Sequence, residues 1–439
     1  MLSRFANIIQ SAADALFMPW VVGVLLGAGL FLTIRTGAVQ LRRFGEAIRV
    51  AFVRRDVGQV GALTPFQAFM TALGASIGTG NIAGVATAIV SGGPGALFWI
   101  WVYGFVAMAI KFGEAVLGVT FREVRSNTVL SGPMYYLRDG FRSPGLAWTF
   151  AFVAAVAALT TTPFTQPNSM ALVLDTVVGI PKIVSGIVIA ILTWLVIIGG
   201  IKSIGRVAER LSPLKVGLYL AGGLIVILVN AGRIPSVLQM VVEEAFTMQS
   251  ALGFGLFTAM RYGIARGVYA NEAGYGTAAV AYGTAKSDRP EQQGLNAVME
   301  VAIVSFVTST ISAMTILLTG MWQSGLTSSA AVAAGFESAM PVVGGWIVAF
   351  CAFLFGYTTL IGWAYYGEQF FEYILGRKVT VPYRWIYCLL IPFGAVSRVD
   401  VVWAWGDLMN ALQVFPNLIG VIGLSGLVAK VAWSKAADR

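Results

Sequence analysis

Histidine is absent from all 439 residues. That excludes histidine-based acid–base catalysis, histidine ligation of zinc or haem, and histidine proton relays. Cysteine is nearly absent. Cys351 and Cys388 lie in separate apolar runs and make neither a disulfide framework nor a metal-ligand spacing. Charge is sparse too: 11% of residues carry one, against about 25% in a soluble domain. What remains is 57% hydrophobic, with a mean hydropathy of +0.79. This is the composition of an all-α polytopic membrane protein. Met1 to Trp20 contains Asp14 and Pro19 and no small-residue cleavage site, so the first apolar helix is expected to stay in the mature chain.

A bilayer core of about 30 Å needs about 20 apolar helical residues. Eleven segments qualify, over 14–34, 65–90, 94–121, 147–173, 181–200, 212–230, 250–280, 293–322, 343–375, 383–399 and 403–432. They are numbered 1 to 11 below. The positive-inside rule tests the map. Arg35, Arg42, Arg43, Arg49, Arg54 and Arg55 fall on one side. So do Arg122, Arg125, Arg138 and Arg142, then Lys202, Arg206, Arg210 and Lys215. Lys286, Arg289, Arg377, Lys378, Arg384, Lys430, Lys435 and Arg439 complete that side. The other side holds Arg4, Lys182, Arg233 and Arg398. A split of 22 to 4 among 29 basic residues predicts a cytoplasmic C-terminus and an outside N-terminus in a cell (inner) membrane. It also explains the net charge of +9 without a nucleic-acid partner.

Segment 2 is poorly suited to unbroken helix. Gly74, Gly78, Gly80 and Gly84 interleave with Ser76, Thr79 and Asn81, and each glycine costs a helix about 1 kcal/mol against alanine. Close helix packing and a broken helix both fit such a run. Five segments later, segment 7 carries Gly253, Phe254, Gly255, Gly263, Gly267, Gly274 and Gly276. Five helices end on the far side of a membrane, so segments 2–6 and 7–11 have inverted topologies. Paired broken helices in inverted halves point to a transport site. The chain accordingly divides into 1–63, with the additional first helix and a basic loop, then 64–235 and 236–439, one five-helix repeat each.

A break near 78–80 exposes the N–H groups of a second half-helix, which suit a carboxylate. It also exposes carbonyls of the first half-helix at Gly74, Ser76 and Ile77, which suit a cation. A zwitterion with Na⁺ satisfies both ends. Asn81 can add a carbonyl or make an interhelical bond. The polar belt Thr160–Ser169 in segment 4 offers Gln166, as donor to a carboxylate or acceptor from an ammonium. In segment 9, Thr358 and Thr359 are hydroxyl ligands for a hard cation or partners of i−4 carbonyls. Trp363 shares a helix face with Thr359. Arg266 and Glu272 are read as an inner gate or ion-pair network. Lys111 and Glu114 are read as an i,i+3 pair snorkelling near the inner surface. Tyr365, Tyr366 and Glu368 are read as an interfacial belt.

The blocks Thr64-Pro65-Phe66-Gln67-Ala68, Gly78 to Ala86, Gly92-Gly93-Pro94-Gly95-Ala96 and Ser131 to Tyr136 run in order along the chain. Asn271-Glu272-Ala273-Gly274, Gly362-Trp363, Gly367-Glu368, Asp407 to Asn410 and Pro416-Asn417-Leu418 follow. Together they resemble the alanine/glycine:cation symporter family. The resemblance implies one additional helix ahead of a five-plus-five inverted repeat, and sodium-driven uptake of small neutral amino acids such as alanine and glycine. It places substrate at Gly78, Thr79, Gly80 and Asn81, with Gln166, Thr359 and Trp363 nearby. The Gly-x-Gly-Asn run also resembles the broken helix of neurotransmitter:sodium symporters. That likeness implies one Na⁺ held by Gly74, Ile77, Thr358 and Thr359, with the Thr79 and Gly80 backbone meeting the carboxylate. No cofactor is implied.

Three positions depart from the family pattern. Val301-Ala302-Ile303-Val304-Ser305 stands where the family has Val-Phe-Ile-Asp-Thr, Tyr282 where it has histidine, and Tyr269-Ala270 where it has Phe-Ser. The lost acid at Val304 leaves open a divergent carrier for another small zwitterion, with proton coupling among the options. A cation channel is the alternative from another class, but channels repeat one ring of identical residues, and here the polar groups lie on several helices. An enzyme is disfavoured for want of histidine and of any metal-ligand spacing.

Overall fold

The computed structural model describes residues 2–53, 58, 60–125, 128–248 and 255–434. Arg54, Arg55, Gly253, Phe254, Lys435 and Arg439 lie outside them. Each of the eleven predicted segments coincides with a helix or with two helices separated by a break. By length and apolarity, seven helices among the described residues can cross a membrane, or nine if each of two bent pairs is one span. Segment 5 is the shorter apolar helix Lys182–Ile197. The β structure described is a hairpin pairing Glu123–Arg125 with Thr128–Leu130, antiparallel.

Segment 2 starts where its chemistry requires. Thr64 Oγ1 accepts from the Gln67 N–H and Gln67 Oε1 accepts from the Thr64 N–H, both at 3.1 Å. With Pro65 opening the helix, this is a capping box. The helix Pro65–Ser76 then stops. Gly78 is extended, residues 79–81 make one 3-10 turn, and Ala83–Gly92 resumes at a bend of 59°. None of the four glycines has positive φ; three of them are needed for close approach. A Cβ on Gly74 would meet Ser212 Oγ at 2.8 Å, and one on Gly78 would meet Thr359 Oγ1 at 2.6 Å. Segment 7 breaks between Leu256–Asn271 and Thr277–Gly283. Glu272, Gly274 and Gly276 all have positive φ there, so the break uses the last two of the glycines singled out in the sequence.

Burial separates inner from outer helices. Segments 8 and 9 are 83% buried over their most apolar windows and segment 3 is 72%, whereas segments 6 and 10 are 33%. The outer helices turn large apolar side chains outward, such as Ile187, Ile191 and Leu195 of segment 5. That is the surface a protein presents to lipid rather than water.

Several expectations are corrected. Helices Ile234–Phe246 and Ser328–Ala339 fill connections read as loops. Tyr365, Tyr366 and Glu368 are not an interfacial belt. All three are buried, and Glu368 accepts from Arg384 Nε at 2.7 Å and Nη2 at 2.9 Å. Lys111 and Glu114 neither pair nor snorkel. They are 1% and 0% exposed and serve different partners, because segment 3 is enclosed by segments 7 and 8 on both faces. Lys215, counted as a loop residue, lies inside the helix Gly200–Val229 and is fully buried. That leaves 21 basic residues on the predicted inner side.

Candidate functional site

The two breaks and segments 4 and 9 surround a small polar cavity of about 20 Å³. In this conformation it has space for about one water molecule. Five of the seven residues expected at the substrate line it: Gly78, Gly80, Gln166, Thr359 and Trp363.

Thr79 stands behind this wall. Its N–H and its hydroxyl both donate to Gln166 Oε1 at 3.0 Å. A backbone N–H can only donate, so the amide of Gln166 is oriented: its oxygen is taken, and its NH₂ donates to none of the described residues. Of the roles open to Gln166, donor to a carboxylate is the one left. The Gly80 N–H likewise takes no acceptor from the described residues. Two donors of the expected kind therefore remain, though Thr79 is not one of them.

Asn81 is not part of the lining. Its Nδ2 donates to the Ser76 carbonyl at 3.0 Å, and its Oδ1 accepts from Thr308 and Ser309 at 3.2 and 3.3 Å. Asn81 thus caps the first half-helix and ties it to segment 8, the interhelical alternative. Val304 sits in the same turn, and its carbonyl, 2.8 and 2.9 Å from the same two hydroxyls, competes with Asn81 Oδ1 for their protons.

The opposite wall carries a residue read differently from sequence. Glu272 faces the cavity in a left-handed backbone conformation. Its carboxylate accepts from Trp363 Nε1 at 2.6 Å and from Thr277 Oγ1 at 2.8 Å. It makes no pair with Arg266, which bonds Asp407 instead. A buried carboxylate across from two free donors suits a solute with an ammonium and a carboxylate. Tyr269, Tyr275 and Asn410 also line the cavity and were not singled out for it. The signal for Glu272 was present, as an acid inside an apolar segment next to two glycines.

The oxygens expected to hold sodium do converge, on a different cation. Lys215 Nζ donates to the carbonyls of Gly74 at 3.0 Å and Ile77 at 2.6 Å, and to Thr358 Oγ1 at 2.5 Å. Thr359 is turned one step aside. Its hydroxyl donates to the Ala75 carbonyl at 2.7 Å. Replacing Thr359 by valine keeps the shape and strips that bond, leaving the buried acceptor unpaired at about 1–3 kcal/mol. The expected result is a loss of about tenfold in substrate affinity, read by equilibrium binding to purified protein. Unchanged affinity would remove Thr359 from the site.

A second buried lysine joins the two breaks. Lys111 Nζ donates to Ser76 Oγ at 2.9 Å, to the Asn271 carbonyl at 2.5 Å and to Glu300 Oε1 at 2.6 Å. The Ser76 hydroxyl donates to Glu300, and Tyr282, the residue in place of histidine, donates to Glu300 Oε2 at 2.8 Å. Gly74-Ala75-Ser76-Ile77-Gly78 spells a Gly-x-Ser-x-Gly string, but its serine is engaged in this ion pair. Glu114 accepts from the Gly274 and Gly276 N–H groups at 2.9 and 3.1 Å and from Asn417 Nδ2 at 2.7 Å. It caps the second break.

Comparison with known proteins gives the family and the fold. The chain is 38% identical over 434 residues to the sodium/alanine symporter AgcS of Methanococcus maripaludis, covering 97% of this chain and 96% of that one. It is 32% identical over 427 residues to the probable sodium/glutamine symporter GlnT of Bacillus subtilis, covering 96% and 89%. Among solved structures, MhsT in complex with L-phenylalanine superposes with a TM-score of 0.55 at 15% identity, over 85% of this chain and all of that one. A manganese transporter of Eremococcus coleocola gives 0.53 at 14%, over 86% and 90%. These likenesses carry the fold, which is that of membrane transporters. The model of the sodium:alanine symporter family matches residues 2–435, so the chain belongs to that family: it is a multi-pass membrane transporter that couples amino-acid movement to a cation, and not an enzyme.

Proposed function

We propose that the chain carries small neutral amino acids such as alanine or glycine together with a cation, by alternating access of two inverted five-helix halves, 64–235 and 236–439, around a fixed site. The observation that carries this reading is the placement of Glu272 in one small cavity with the N–H groups of Gly80 and Gln166. Glu272 takes the ammonium and the two donors take the carboxylate. Thr359, Trp363 and Tyr269 stand in the walls of a small cavity, which favours a small side chain. The excess of basic loop residues on one face supports a cytoplasmic C-terminus in the cell membrane.

Sodium is the first ion to test, given the family name and that of AgcS. The position of Lys215 favours a second reading, in which the ring at Gly74 and Ile77 takes no sodium. The test of the substrate is exchange of labelled alanine, glycine and serine in proteoliposomes preloaded with the same amino acid, with leucine and glutamine as bulkier comparators. Exchange of the small amino acids alone is expected. Equal exchange of leucine would overturn the small-solute reading, and conductance far faster than carrier turnover would favour a channel.

A further inference from the structure

Four cations are buried among the described residues: Arg43, Lys111, Lys215 and Arg266. Three of them face a carboxylate: Glu46, Glu300 and Asp407 respectively. Among the described residues, Lys215 has none within 4.0 Å. Its surroundings are two helix-end carbonyls, one hydroxyl, and the Phe355 ring 5.1 Å from Nζ. A buried lone ammonium is costly unless something specific compensates it. Here the compensation is the C-terminal end of a half-helix, where unpaired carbonyls and the helix dipole present negative potential. That is the same feature a coupling cation uses in broken-helix transporters.

The ionisable groups on the neighbouring elements are few. Segment 9 brings the Cys351 thiol, and its Glu368 is engaged by Arg384. The lysine's own helix carries Tyr219, bonded to Ser312, Glu209, bonded to Gln67, and the cations Lys202, Arg206 and Arg210 more than one turn before it. Glu337, on the helix Ser328–Ala339, caps the N–H groups of Val342 and Gly345. The first half of segment 2 and the described part of segment 8 beside Lys215, 303–318, have no ionisable side chain, and segment 5 has Lys182 alone, at its start.

We propose that Lys215 is a tethered replacement for the coupling sodium, so that this carrier couples amino-acid movement to a proton on the Lys215 amine. A sodium ion and the ammonium cannot share one ring of oxygens. The ammonium has three N–H donors and meets three oxygens. The Thr358 hydroxyl is then free to give its own proton to the Gly74 carbonyl, 2.8 Å away. In the step itself, a proton from outside water forms the third N–H bond on the Nζ lone pair. On the inner side that bond breaks and the proton returns to water; no other reactant is consumed. The neutral amine keeps two N–H donors. The Thr358 proton must then turn towards Nζ, the Gly74 carbonyl loses a partner, and the positive charge leaves the helix end. The break is held closed in one state and loosened in the other. Lysine can make this exchange, whereas arginine stays charged.

The inference rests on the amino-acid reading above, and the experiment separates the two. In proteoliposomes with the membrane potential clamped, an inward proton gradient without sodium is expected to raise net alanine uptake about tenfold, and a sodium gradient at equal pH to leave it unchanged. Lys215→Met is expected to retain alanine exchange and lose the proton-driven accumulation. Lys215→Arg, with a fixed charge, serves if the methionine variant does not fold, and should likewise lose the proton drive. Uptake that follows sodium and ignores pH, or either variant keeping full proton drive, overturns the proposal. Exchange without proton drive in the unaltered protein overturns this inference alone. Absence of exchange with every amino acid tried overturns the amino-acid reading and this inference with it.

Discussion

Replacing Gly80 by leucine is expected to reduce amino-acid binding by more than a hundredfold in a protein that still folds. Even the first carbon of the new side chain would lie 2.6 Å from Cδ1 of the Tyr269 ring. That ring has little freedom to move. Its hydroxyl donates to Thr165 Oγ1 at 2.8 Å, and its face packs on Trp403 with ring centroids 5.0 Å apart. The leucine therefore fills the cavity beside the one backbone N–H left for a carboxylate. A hundredfold is about 2.7 kcal/mol, well within what a filled site loses. Binding of labelled alanine to detergent-solubilised protein reads the loss, and an unshifted size-exclusion profile reads the fold. Gly80→Ala should bind weakly, and adding Tyr269→Ala should restore part of the affinity. Full binding by Gly80→Leu would place the amino acid elsewhere.

Lys111→Met is expected to have the largest effect on stability. Lys111 contacts Ser76 at the end of one half-helix and Asn271 at the end of the other. Its loss leaves Glu300 buried with a charge and no cation, at about 3–5 kcal/mol. Lys111→Met combined with Glu300→Gln removes both charges and is expected to recover most of the loss, since a buried pair is often near neutral against uncharged residues. Thermal unfolding in detergent measures both. A single variant as stable as the unaltered protein would show that the pair does not hold the two breaks together.

Tyr282, which departs from the family pattern, donates to Glu300 in this same cluster, and Val304 contributes its carbonyl to the hydroxyls that hold Asn81. Both departures lie in the shell that shapes the two breaks and outside the lining of the cavity. Lys215 stands directly on the first break. It was the most informative single residue in the structure and was read from the sequence as one more loop cation.

The sequence by itself determined the composition class, the eleven helical segments and the two places where helices break. Those features are local. Hydrophobic length, glycine among hydroxyls and a Thr-Pro-x-Gln start act through the backbone within a few residues, so they are visible without neighbours. Of the seven positions expected at the substrate, Gly78, Gly80, Thr359 and Trp363 line the cavity for the same reason, since a helix break, a threonine and an indole one turn apart are local features.

Only the tertiary structure decided the partners of the polar side chains. Gln166 and Thr79 are 87 positions apart, and Lys215 reaches Thr358 across 143. Glu272 was separated from Arg266 because Asp407 arrives from segment 11. In a low-dielectric interior each buried charge or amide must find a partner, but nothing in the chain's local pattern says which. For the same reason a lysine three residues inside a predicted span counts with the loop cations until its neighbours are known. In this fold those neighbours are the open carbonyls of a broken helix.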